Sequence, residues 1–247
     1  MSVSSRSSRR LARSVSRDAR RLFFENLEER KVLTGYVVNT LDDTDAADGL
    51  VSLREAITAA NTNAAYVDAP AGGAGVADYI RFDPALAGAT LTLNGTELEI
   101  FDSLTIQDRN TSGLTIDAGG ASRVFNISAG ANIVNITNLE ITGGAETFGG
   151  GIYVDAGNVV NLVQVNVHNN DATVDGGGIY NDGTLTIRSS QISNNTAANF
   201  AGGIESNGVL NIYSSQLTGN SATIDGGALS IDGGSLLING STLTGND

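Results

Sequence analysis

Cysteine is absent from this chain, and tryptophan with it. Without thiols there is no disulfide framework, no thiolate nucleophile and no Cys-based zinc site. His168 is the single histidine, which excludes multi-histidine metal centres. Proline occurs twice and aromatic residues make up 5%, so neither a proline-rich linker nor a core of bulky rings is in play. No apolar run approaches the roughly 18 residues a membrane-spanning helix needs. Lysine is missing after Lys31, which removes Schiff-base and general-base lysines from nearly the whole chain.

What is present divides by charge. Residues 1–31 carry nine basic and four acidic residues, a net of +5. Residues 32–247 carry five arginines against 23 Asp or Glu, a net of −18. Such a body repels phosphate, so it is read as having no nucleic-acid partner and no affinity for an anionic membrane. Hydrophobic residues at 40% suffice for a core, and 31 glycines point to many turns.

The segment 1–34 is Ser/Arg-rich at its start, lacks the apolar stretch of a secretory signal, and is expected to be disordered alone. An Arg-rich arm of this kind also suits RNA, but the acidic body argues against that use. Phe23 to Thr34 carries Leu27, Glu28, Arg30 and Leu33. This resembles the short L-E-x-R-x-L-L element near the start of many large exported bacterial proteins, with Val32 and Thr34 as departures. The resemblance implies export; a simple amphipathic stub is the alternative.

The strongest pattern is internal repetition. Gly150-Gly151-Ile152, Gly177-Gly178-Ile179, Gly202-Gly203-Ile204 and Gly227-Ala228-Leu229 recur at spacings of 27, 25 and 25. Turn pairs follow at Asp182-Gly183, Asn207-Gly208 and Asp232-Gly233. Alternating apolar pairs come next, at Val160/Leu162, Leu185/Ile187 and Leu210/Ile212. Each unit closes with Val167, Ile192, Leu217 or Leu243, then Asn170, Asn195, Asn220 or Asn246, and in three units an alanine (Ala172, Ala197, Ala222). Runs of three to five residues with period two are strands. A unit of about 25 residues with three such runs is one coil of a three-faced solenoid, stacked about 4.8 Å from the next. Identical positions then form ladders, aliphatic through Ile152, Ile179, Ile204 and Leu229, and amide-bonded through the asparagines.

These segments resemble the right-handed parallel β-helix repeats of bacterial polymorphic outer-membrane proteins, which pair a G-G-[AG]-[IL] element with an x-x-N element. The clear repeats cover 145–247, and 90–144 continue more loosely through Leu104-Thr105-Ile106, Leu114-Thr115-Ile116 and Leu139-Glu140-Ile141. The expected fold is all-β, a single-stranded right-handed parallel β-helix of the pectate-lyase-like type, with a short N-terminal capping helix. The expected organisation is a targeting segment over 1–34, a strand-helix cap and lead-in over 35–89, and β-helix repeats over 90–247.

The cap is read from Val37-Val38 as a strand and from Ser52-Leu53-Arg54-Glu55, which has capping-box spacing. Leu53, Ala56, Ile57 and Ala60 give an amphipathic helix over about Leu53 to Asn61. The stretch resembles the C-S-L-R-E-A element that begins many secreted β-helix proteins, with Val51 in place of the cysteine. The resemblance implies a structural role and makes Arg54 an ion-pair or capping residue. The chain ends in mid-coil, so the sequence reads as a monomer or part of a longer chain.

Chemistry is sparse. β-helix lyases use Arg or Lys as base with cationic help for the substrate, yet after residue 122 only Arg123 and Arg188 remain. The polygalacturonase set of adjacent aspartates, a G-H-G turn and an R-I-K element is absent. Asp175 and Asp225 share a pre-glycine slot two coils apart, as do turn residues Asp182 and Asp232, which places each pair at about 10 Å, a spacing that permits acid/base hydrolysis. Turn aspartates explain them better. His168 is expected outward, beside Ser193 and Thr218. Tyr153 and Tyr180 are expected to stack outward on one face, ended by Glu205 and Ser230. Asp42, Asp43, Asp45 and Asp48-Gly49 resemble a Ca²⁺ loop with one extra residue before the last aspartate; a solvated acidic turn is the other reading. The functional expectation is a non-catalytic, exported or cell-surface bacterial solenoid for adhesion or scaffolding, meeting an extracellular polysaccharide or protein. The alternative is a polysaccharide-binding or polysaccharide-degrading enzyme using a groove on the β-helix.

Overall fold

The computed structural model describes residues 35–73 and 77–247, and the expected targeting segment over 1–34 lies outside them. The described chain is a right-handed parallel β-solenoid of about six coils with one α-helix. Every strand pairing is parallel and joins one coil to the next. Among the described residues no helix is long and apolar enough to cross a membrane.

Four sheets wrap the core, one more than the three runs in the repeat suggest. An eight-stranded sheet runs from Gly35–Val38 and Asp78–Phe82 to Ser235–Asn239. A seven-stranded sheet runs from Thr90–Thr92 to Thr242–Thr244, and a six-stranded sheet from Leu98–Ile100 to Leu229–Ile231. The fourth is short: Ala145–Phe148, Asp171–Asp175, Thr196–Ala197 and Ser221–Ala222. Its register pairs Ala172 with Ala197 and Ala197 with Ala222. These are the recurring alanines of the repeat, and Ala172 and Ala197 are buried; in the preceding coil Glu146 holds the same register position.

The corners between sheets are set by single left-handed residues stacked coil on coil. Between the eight- and seven-stranded sheets these are Asn138, Gln164, Ser189 and Ser214, with φ from 49° to 56°. Between the seven-stranded and short sheets they are Asn169 and Asn194. A glutamine or serine in this region costs roughly 1 kcal/mol, which the flanking strand pairing offsets. At Gly177 the need is steric, since a Cβ there would collide with the carbonyl oxygens of Thr196 and Gly202.

Both expected ladders form. Ile152, Ile179, Ile204 and Leu229 pair in register, the first three fully buried. The asparagines bond from coil to coil: Asn195 Nδ2 donates to Asn220 Oδ1 at 2.9 Å, and Asn220 Nδ2 to Asn246 Oδ1 at 3.0 Å. The helix spans Leu53–Thr62, and Ser52 with Glu55 forms the capping box. Leu53, Ala56, Ile57 and Ala60 are buried against the solenoid core, covering its first coils. The strands before and after the helix lie in the same sheet as the repeats, so cap and repeats share one continuous sheet.

Candidate functional site

Alternation along each strand of the six-stranded sheet sends one residue outward per coil. Stacking turns these into a row: Glu99, Asn126, Tyr153, Tyr180, Glu205, Ser230. The two tyrosine rings lie 5.3 Å apart with 4° between their planes, so each uses a face on the other. The Arg123 guanidinium lies over the Tyr153 ring, 5.2 Å from its centroid. Arg123 is fixed by Glu97 Oε2 at 2.6 Å and by the Phe148 and Gly149 carbonyls. Phe148 meets Tyr180 at 5.1 Å, tilted by 58°.

The hydroxyls are committed too. Tyr153 donates to Asp182 Oδ2 at 3.0 Å, and Asn207 Nδ2 donates to both the Tyr180 hydroxyl and Asp182 Oδ1 at 2.9 Å. Burial first, and then the bond to Asp182, push Tyr153 up to about 12. Burial also raises Tyr180, against the Asn207 bond.

Two rims flank the row. One is the stacked turns, where Asp182 and Asn207 bond each other and Asp155 Oδ2 accepts from the Ala129 amide at 3.1 Å. The other carries Asp175, Phe200 and Asp225. Asp175 Oδ1 accepts from the Phe200 amide at 3.0 Å, and Phe200 bridges Asp225. Asp175 and Asp225 therefore share a slot with Phe200 between them, and both are hydrogen-bonded to backbone amides.

Glu205 is the exception on this face. It is 5% exposed, and its Oε2 accepts no hydrogen bond. Burial raises its pKa above the usual carboxylate value, and Asp175 and Asp232 add to the rise; the Ser230 hydroxyl opposes it. The sequence marked Glu205 only as the end of the tyrosine row. The available signal was a lone carboxylate in a slot that neighbouring coils fill with tyrosine or serine.

The aspartates of the expected Ca²⁺ loop take separate partners. Asp43 is buried, receiving Arg54 Nε at 2.9 Å, Arg54 Nη2 at 2.7 Å and the Asn94 amide at 2.8 Å. Asp45 accepts from the Tyr66 hydroxyl at 3.1 Å, and Asp48 Oδ1 from the Leu50 amide at 2.9 Å. The Asp42 amide donates to Thr40 Oγ1. Among the described residues no three His, Cys, Asp or Glu side chains gather in a way that could hold a metal ion. Arg54 also donates to the Glu97 and Thr96 carbonyls, tying the helix to the first coils as an ion-pair residue.

His168 stands in register with Thr142 and Ser193 on the outer side of the seven-stranded sheet. Its Nε2 lies 3.6 Å from Glu140 Oε2, and Asn169 Nδ2 lies 2.8 Å from its Nδ1. Arg188 lies over the Tyr213 ring at 4.0 Å, in the adjacent coil of the eight-stranded sheet. Comparison with family models, curated proteins and solved structures finds no match.

Proposed function

We propose that this chain is a non-catalytic, exported or cell-surface bacterial β-solenoid that binds or scaffolds through its outer faces. The supporting observation is the state of the polar groups on the six-stranded face. Asp155, Asp175, Asp182 and Asp225, Tyr153 and Tyr180 all sit in turn or coil-to-coil hydrogen bonds. Groups held this way stiffen a surface, because their hydrogen bonds are those of turns and coil stacking. A sugar-stacking platform needs an aromatic face turned to solvent. In this row Tyr153 has Arg123 over one face and Tyr180 over the other, and the far side of Tyr180 looks along the stack to the Glu205 coil rather than outward, which weighs against the polysaccharide-enzyme reading. Export is supported by the L-E-x-R-x-L-L-like element, and the polymorphic outer-membrane type by the G-G-I and Asn repeats.

Two measurements test the proposal. The tagged full chain, expressed in a bacterial host, is expected at the cell surface or in the medium; retention in the cytosol overturns export. The folded chain, incubated with neutral and acidic polysaccharides with and without Ca²⁺, is expected to release no oligosaccharide by mass spectrometry. Released product overturns the non-catalytic reading and directs attention to Asp175 and Asp225.

A further inference from the structure

The tyrosine pair in the outer row of the six-stranded sheet has a cation on one side and none on the other. Arg123 covers Tyr153, Tyr153 covers Tyr180, and the next position in register is Glu205. The side of the Tyr180 ring away from Tyr153 therefore faces the Glu205 coil. The Glu205 carboxylate is buried, with one oxygen unpartnered, and its charged neighbours Asp175 and Asp232 have its own sign. The two arginines beyond residue 122 are committed elsewhere, Arg123 to Glu97 and Arg188 to Tyr213. A buried carboxylate among carboxylates is unfavourable until a cation joins it.

The rim beside it gives the second half of the argument. Phe200, whose amide bonds Asp175, is 40% exposed, and Ile224, next to Asp225, is 62% exposed. A group of carboxylates edged by exposed apolar side chains matches a chain that alternates basic and apolar residues. The net charge of −18 over residues 32–247 steers the same partner in.

We propose that Glu205 anchors a binding site for a basic, partly apolar peptide. A guanidinium of that peptide pairs with the Glu205 carboxylate beneath Tyr180, repeating in trans the Arg123–Tyr153 contact, while apolar neighbours of the guanidinium cover Phe200 and Ile224. This partner class rests on the surface-binding reading above and gives it a ligand.

The test uses the full chain and a fluorescein-labelled pentapeptide alternating leucine and arginine, read by fluorescence anisotropy. A citrulline version keeps the shape and removes the charge. The arginine peptide is expected to bind and the citrulline peptide to fail. Glu205→Gln is expected to weaken binding about tenfold or more, the effect of losing one charge-assisted pair. Glu140→Gln, an equal charge loss on the seven-stranded sheet, is expected to leave binding within about twofold, since screening at ~0.1 M salt limits distant charges to short range. Ser230→Arg places a cation in the next coil and is expected to raise Tm and block the peptide. Equal binding by Glu205→Gln and wild type, equal binding of the citrulline peptide, or unhindered binding to Ser230→Arg overturns the site. A folded wild-type chain that binds no arginine peptide overturns it as well. That result leaves the scaffold reading standing, because localisation and product release test the scaffold separately.

Discussion

The Asn195 side-chain oxygen accepts two hydrogen bonds from Asn170, one from its backbone N–H and one from its Nδ2, both at 3.0 Å. Asn195 in turn gives its own N–H and Nδ2 to Asn220 Oδ1 at 3.1 and 2.9 Å. The residue is fully buried, so each coil closes the polar account of the one before it. A ladder of this kind fixes register as well as stability, since a slip by one residue would strand buried amides.

Asn195→Leu removes the acceptor of two bonds from Asn170 and the donor to Asn220. The expected loss is about 3 kcal/mol, within the range for leaving buried polar groups unsatisfied. Urea unfolding followed by circular dichroism measures it. An unchanged midpoint would mean that the ladder bonds are replaced by water and carry little. The same substitution at Asn246, where the ladder is part-exposed, is expected to cost well under half as much.

Asp43 and Arg54 pair where the helix meets the first coils, with side chains 1% and 19% exposed. Asp43→Asn leaves the guanidinium without its counter-charge, and about 3 kcal/mol of destabilisation is expected for breaking a largely buried pair. Arg54→Lys cannot reproduce the paired contact and is expected to fall between the variant and wild type. Because both Asp43 oxygens already serve Arg54, the thermal shift of Asp43→Asn is expected to be the same in EDTA and in Ca²⁺. A loss seen only in Ca²⁺ would return Asp43 to a metal role.

How much of this was legible follows from what repetition can encode. Ile179 and Asn195 were readable because a solenoid puts the same residue type in the same place every coil, and the structure pairs them as the spacing demands. Tyr153 over Tyr180 was readable for the same reason. The fourth sheet was not, because its strands are as short as Thr196–Ala197 and show no alternation. The hydrogen-bond partners of Asp43 were not, because Arg54 lies 11 residues away and Asn94 51, and neither belongs to the repeat. Glu205 was placed correctly at the end of the tyrosine row, but its burial is not something that period and composition describe.

Gly177→Ala tests the close approach of coils at the corner before Ile179. The added Cβ would meet the Thr196 and Gly202 carbonyl oxygens of the next coil, backbone atoms that cannot rotate away. The expected cost is about 1–3 kcal/mol, as for overpacking. Gly157→Ala is the comparison: no neighbouring atom stands near its Cβ position, but its φ is +86°, so backbone strain of roughly 1–2 kcal/mol acts alone. Gly177 itself lies outside the left-handed region, so an unchanged melting temperature for Gly177→Ala would show that the coils yield to the added Cβ and that contact does not constrain this corner.

Glu205 makes stability depend on pH in a direction opposite to that of an ion-paired carboxylate. Its folded pKa is raised, chiefly by burial and then by Asp175 and Asp232. Between the unfolded value of about 4.5 and the raised folded value, the native state holds more protons than the unfolded one, so stability falls as pH rises through that window. The associated stability is fully present below the unfolded pKa and is lost above the folded one. Glu205→Gln keeps the shape and removes the charge. At pH 7 it is expected to relieve an unpaired buried carboxylate, raising stability by about 1–2 kcal/mol, or a Tm shift of roughly 2–8 °C for a chain of this size. At pH 4, where the wild-type residue is protonated, the gain is expected to shrink toward zero. Thermal melts of both proteins at the two pH values measure the difference. A variant less stable than wild type at pH 7 would mean that the Glu205 charge is already compensated, and would count against a cation-seeking pocket there.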